Sequence, residues 1–375
     1  MAGGVPCTIG CAKTTYAATR RSPSMTSLTR LAACAAMVFI ASKGQIHAAS
    51  DVSGVERLTA RSEEREAALD LAVWYPATTG GESVSLGQNI FFEGSPAQQG
   101  APIRDGTFPV VLLSHGAGLA GRAEAMSWIA APLAQDGFIV VAPTHPGNTG
   151  PDRSAEQTMK LWLRPSDLSA ALDAIEADPT FQPHIAQDRV GVLGLSMGGN
   201  SALSLIGARL DPELFASYCD TGARNVSLCS WVSQSGVDLH AMDKTLAGRD
   251  NRDPRVTFAM AIDPAPADIF DMASLAEITV PVSIVNLGAP SEIPETVRAS
   301  GIARAMPRAE YDVIEAASHA SMFPECKPNA AEIALEEGIE DPICTDGKGG
   351  SRAAIHKQLI EMTIAAFRKA LRGEG

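Results

Sequence analysis

Short, uninterrupted apolar runs alternate with helix-spaced apolar segments along most of this chain. Pro109 to Leu113 is a short continuous apolar run, and Phe138 to Ala142, Val190 to Leu195, Val256 to Ile262 and Val282 to Asn286 read as further strands. Such runs suit strands covered on both faces, where no position needs to face water. Ala68 to Tyr75 reads as an earlier strand stopped by Pro76, and Tyr311 to Ile314 as a late one. Ala123 to Gln135, Pro165 to Ala177, Met197 to Ala208 and Ala353 to Leu371 carry helical spacing, Pro165 sitting where a first turn tolerates it. Strands alternating with helices predict a mostly parallel central sheet with helices on both faces. Thr78 to Asp105, rich in Gly, Ser and Gln, reads as loop. Leu210 to Pro254 breaks the rhythm and reads as an insertion (about 210–254) after the Met197 helix.

The N-terminal segment differs from the rest. Residues 1–49 carry five basic side chains and no acidic one, while the whole chain of 375 residues has a formal charge of −13, leaving −18 for the remainder. Leu31 to Ala41 is an apolar run of eleven residues following Arg30. A membrane span needs about 20 such residues and a secretory signal core about 7–15. The pattern predicts a leader over 1–49, a single domain over 50–375, and a secreted or periplasmic mature chain. Met25 is an alternative start, and the cleavage site is not defined by the sequence. With 43 acidic against 30 basic residues, no nucleic-acid partner is expected.

Export changes how the cysteines are read. Cys7, Cys11 and Cys34 lie in the leader, and the other four form two local pairs, Cys219 with Cys229 and Cys326 with Cys344. Each pair brackets a turn-rich segment that a crosslink would pin, so both are predicted disulfides. The spacings are unlike those of metal sites.

The chemistry centres on Gly194-Leu195-Ser196-Met197-Gly198-Gly199, placed between an apolar strand and a helix. This is a nucleophile elbow: a turn so tight that positions two residues either side of the serine cannot carry side chains. It presents Ser196 at a helix N-terminus, where free N–H groups stabilise developing negative charge. Upstream, Ser114-His115-Gly116-Ala117-Gly118 directly follows the strand Pro109 to Leu113. In this arrangement the backbone N–H groups of Ala117 and Met197 are the candidate oxyanion donors. His319, just after the late strand, is the candidate base. His115 reads as a structural hydrogen-bonding residue, His145 as a cleft candidate, and His184 and His356 as surface residues; His240 lies in the insertion. The orienting acid must fall between Ser196 and His319 in chain order. Asp263, at a strand end, is preferred, with Glu292 as its rival. Asp268 and Asp271 read as helix caps.

Phe108 to Leu119 (FPVVLLSHGAGL), Trp128 to Pro146, the elbow GLSMGG and the Ala316 to Ala320 histidine loop together resemble the α/β-hydrolase superfamily. More narrowly, they resemble bacterial relatives of platelet-activating-factor acetylhydrolase, often labelled predicted dienelactone hydrolases. The resemblance covers about Ala68 to Leu371 and extends to Trp74-Tyr75-Pro76 and Asp263-Pro264. It implies the α/β-hydrolase fold and a serine hydrolase acting on small-molecule or lipid esters, with no metal or organic cofactor. Two positions depart from the family pattern: Leu195, where His is commoner, and Ser196, where dienelactone hydrolases carry cysteine. An acyltransferase or perhydrolase using the same residues, or an inactive binding protein of the same fold, are the alternatives.

Overall fold

In the computed structural model, residues 52–149 and 152–374 are described. The leader, its apolar run and Cys7, Cys11 and Cys34 lie outside them. Ten strands form one sheet: β1 (Val52–Ser62), β2 (Ala67–Ala77), β3 (Glu82–Leu86), β4 (Ser95–Gln99), β5 (Phe108–Ser114), β6 (Ile139–Pro143), β7 (Ile185–Leu195), β8 (Val256–Ile262), β9 (Val282–Leu287) and β10 (Ala309–Ile314). Their order is β10-β9-β8-β7-β5-β6-β2-β1-β4-β3. The six strands from β10 to β6 are mutually parallel, as the apolar runs predict, and β5 and β6 are buried at every position.

Three strands were not expected. β1 carries Glu, Arg and Thr among its apolar positions, and β3 (ESVSL) and β4 (SPAQQ) have too little apolar content to signal a strand. They form because they extend an existing sheet: β1 pairs antiparallel with β2 over its whole length, β4 pairs with β1, and β3 with β4. β3 and β4, at the end of the sheet, are held by ladder hydrogen bonds and need no buried face of their own. The segment predicted as loop over Thr78 to Asp105 therefore contains two strands.

Helices cover both faces. On one side lie α1 (Ser127–Gln135) and the closing helix, which is numbered α10 (Arg352–Phe367). On the other lie α2 (Ala155–Met159), α3 (Arg164–Ala177), α4 (Met197–Leu205), α5 (Pro212–Ala216), α6 (Val226–Gln234), α7 (Met272–Leu275) and α8 (Ser300–Ala305). A smaller apolar cluster joins α9 (Ala330–Glu336) to Phe91 and Phe92. The predicted insertion holds α5 and α6, stapled by Cys219–Cys229; the second bridge is Cys326–Cys344, and the Cα separations are 5.3 and 5.8 Å. Among the described residues no helix is long and apolar enough to cross a membrane.

Candidate active site

The carboxyl ends of the parallel strands gather the chemically interesting residues, as expected for an open α/β sheet. Ser196 follows β7, Asp263 follows β8 and His319 follows β10. Ser196 has φ 55° and ψ −121°, a conformation that a side-chain-bearing residue rarely adopts, directly before α4. The flanking glycines are required by close approach. A Cβ on Gly194 would lie 1.9 Å from the Gly198 carbonyl oxygen, and one on Gly198 would lie 1.9 Å from that of Ser114. The Ser196 carbonyl accepts from Gly199 N at 2.8 Å and Ala265 N at 2.9 Å, and its N–H donates to Ile262 O at 3.0 Å. The turn is therefore bonded on both sides, which maintains the strain.

Ser196 Oγ lies 3.1 Å from His319 Nε2, and His319 Nδ1 lies 2.9 Å from Asp263 Oδ2. A carboxylate only accepts, so Nδ1–H donates to Asp263 and Nε2 is left to accept the serine proton. Asp263 is fully buried, whereas the His319 side chain is 36% exposed. The other Asp263 oxygen accepts from Leu287 N and Asn286 Nδ2, both at 2.7 Å. Asn286 is itself fixed: it donates to Val297 O and accepts from Ala299 N and Tyr311 OH. Glu292 is exposed and sits in a turn whose N–H bonds Ala289 O.

The loop after β5 reaches the serine. A Cβ on Gly116 would stand 3.2 Å from Ser196 Cβ, so Ala117 follows a residue in contact with the elbow. Met197 is the first residue of α4, where an N–H has no intrahelical acceptor. Among the described residues no group of three or more His, Cys, Asp and Glu side chains could hold a metal ion.

The 3-10 turn that carries His319 (His319–Met322) is tethered by residues that the sequence reading missed. Trp128 Nε1 donates to Met322 O at 3.1 Å. His356 Nε2 lies 3.0 and 3.1 Å from the carbonyl oxygens of Ser321 and Phe323, so it carries the proton and donates to both. Arg352, one turn earlier on α10, donates to Phe323 O and Pro324 O, and to Asp346, which also accepts from Ser321 Oγ at 2.6 Å. His356 was expected at the surface, but it is buried and stacks on Trp128 with ring centroids 3.8 Å apart. The available signal was weak: Arg and His spaced i, i+4 within an amphipathic helix.

The remaining histidines separate by environment. His115 and His145 are fully buried; His145 does not line an open cleft but bonds Ser114 and Asp167. His184 is half-buried against Gly106 O rather than fully at the surface, and His240 pairs with Asp220 in the insertion. Asp271 caps α7 as expected, whereas Asp268 pairs with Arg224 at 3.4 Å instead of capping.

Burial holds the His356 imidazole down at about 4, assisted by the Arg352 charge, and burial pushes His115 and His145 well below their ordinary range. These rings are neutral in the folded protein but charge in the unfolded chain below about pH 6.5. Unfolding therefore takes up protons, and stability falls as pH drops from about 6.5 toward 4. His356 alone accounts for about 3 kcal/mol at the lower limit. The Tm should fall by at least about 6 °C between pH 7.5 and 4. A flat profile would show that these rings are not buried neutral.

The Cys326–Cys344 bridge closes the segment leading to Asp346. Replacing both cysteines with alanine should cost about 3 kcal/mol of stability. It should also lower kcat several-fold, because Asp346 accepts from Ser321 Oγ two residues past His319. Unchanged kcat beside a lowered Tm would confine the bridge to a structural role.

A mixed sheet of mainly parallel strands, an elbow serine, and a histidine and an acid on later strand ends define an α/β hydrolase. The chain belongs to the alpha/beta hydrolase family, whose sequence model matches residues 110–334, more than half of its length. Among curated proteins no sequence match was found. Among solved structures it is similar in fold to the ferulic acid esterase from Streptomyces cinnamoneus. That likeness has 17% identity and a TM-score of 0.56, covering 87% of this chain and 91% of the esterase. It also matches a dienelactone hydrolase from Anabaena variabilis at 14% identity and a TM-score of 0.45, over 84% and 99% of the two chains.

Proposed function

We propose that this protein is an exported serine hydrolase that cleaves carboxylic esters of small-molecule or lipid type through Ser196, His319 and Asp263. One observation carries the reading: the unbroken path from Ser196 Oγ to His319 Nε2 and from His319 Nδ1 to Asp263 Oδ2, at 3.1 and 2.9 Å. Both spans are short enough for proton transfer and orientation. His319 takes the Ser196 proton as the hydroxyl attacks the ester carbonyl, and Asp263 keeps the imidazole in the required tautomer. The N–H groups of Ala117 and Met197 stabilise the tetrahedral oxyanion, each by about 3–4 kcal/mol. The alcohol leaves with the proton from His319. Water, activated by the same base, then releases the acid.

Export is part of the proposal. Residues 1–49 form a leader, residues 50–375 the catalytic domain, and the two disulfides in that domain suit an oxidising compartment. The reading is tested with p-nitrophenyl esters from acetyl to palmitoyl and with a fluorophosphonate probe followed by peptide mapping. Saturable turnover and labelling confined to Ser196 are expected. Folded protein that neither turns over any ester nor labels would overturn it.

A further inference from the structure

Behind the loop after β5 lies a buried charged cluster that the proposed mechanism does not use. Arg164, the first residue of α3, is 1% exposed; it donates from Nε to Ser201 Oγ at 2.8 Å and from Nη2 to His115 O and Ser114 Oγ. Arg65, from the turn joining β1 and β2, has a side chain 3% exposed, and its Nε lies 2.8 and 2.9 Å from the two oxygens of Asp167. Asp167 also accepts from Ser62 Oγ and from His145 Nδ1. A carboxylate offers about four lone-pair sites. Two Arg65 contacts, Ser62 and His145 fill them.

Three guanidinium nitrogens are left over. Nη1 and Nη2 of Arg65 and Nη1 of Arg164 are buried with no hydrogen-bond partner. Each carries two N–H groups, and the cluster's carboxylate has no acceptor left to give them. The charges are equally unbalanced, with two guanidiniums against one carboxylate, and both histidines of the cluster are held neutral. Burial and the neighbouring Arg65 charge bring Arg164 down to about 9, and the two arginines also depress His145. Arg164 and both histidines each feel a neighbouring positive charge. Water would satisfy some N–H groups but would leave the buried net charge uncompensated, which is the costlier defect.

We propose that Arg65 and Arg164 hold a buried monovalent inorganic anion of the halide class behind the Ser114–Gly116 loop. The anion accepts the orphaned N–H groups and neutralises the cluster. It thereby fastens the β1–β2 turn to α3 and to the loop from which Ala117 extends. The inference stands independently of the esterase reading.

The test uses the whole protein, dialysed into sodium gluconate and titrated with sodium bromide at constant ionic strength. A saturable rise in Tm of about 2–4 °C is expected for wild type, and none for Arg65→Met. Crystals grown in bromide should show an anomalous peak within about 3.5 Å of both guanidinium groups, which decides the matter even if Arg65→Met fails to fold. Water at that position together with a Tm insensitive to bromide overturns the proposal. Peaks confined to surface arginines, with no saturable rise, would mean an adventitious ion only.

Discussion

Ser196→Ala is expected to lower kcat on p-nitrophenyl esters by about 10⁶-fold while leaving Tm within about 2 °C of wild type. The separation of the two effects follows from the backbone. The strained φ of 55° arises from the turn and its bonds to Ile262, Gly199 and Ala265, and alanine carries the same Cβ as serine. The substitution therefore neither relieves nor adds strain, and only the hydroxyl is lost. The oxyanion donors and substrate binding would remain, so a residue of activity should survive. A kcat within tenfold of wild type would remove Ser196 from the mechanism.

Asp263→Asn is the second large effect, expected at about 10⁴ in kcat with the fold retained. Two donors, Asn286 Nδ2 and Leu287 N, converge on Asp263 Oδ1 at 2.7 Å. An asparagine would place its carbonyl oxygen there, because an amide nitrogen facing two donors would lose both bonds. Its NH2 group would then face His319 Nδ1 and force that nitrogen to accept. The proton would move to Nε2, which could no longer take one from Ser196. The positive φ of 45° at this position suits Asn as well as Asp, so the backbone should tolerate the change. Glu292→Gln, at an exposed turn, should leave kcat within about twofold. Reversed outcomes at the two positions would identify Glu292 as the acid.

The parallel half of the sheet and the elbow were legible because each rests on a strong local signal. β5 and β6 are almost wholly apolar and buried at every position because both faces are covered, and Gly194 and Gly198 are forced by a backbone contact 1.9 Å from where a Cβ would sit. Asp263 and His319 were candidates because of the order serine, acid, histidine, their places at strand ends and the resemblance at Asp263-Pro264, with Glu292 left as a rival acid. Other features were invisible because their causes lie in partners distant along the chain. β3 and β4 are strands only because β1 offers a paired edge. His356 is buried only because Trp128, more than two hundred residues earlier, stacks on it and because the His319 turn supplies two acceptors. Asn286 lies in plain view at the end of an apolar run, yet its role depends on a carboxylate twenty-three positions away.

The tethering of the His319 turn has a consequence for how the protein matures. During synthesis Ser196, Asp263 and His319 all leave the ribosome before α10, which follows them in chain order. Until Arg352 and His356 arrive, the carbonyl groups of Ser321, Phe323 and Pro324 lack their α10 donors, and the turn that carries His319 is held from fewer sides. On the proposed mechanism a nascent chain is a hydrolase in composition but not yet in function. On that reading, competence waits for α10, a helix that carries none of the three proposed residues.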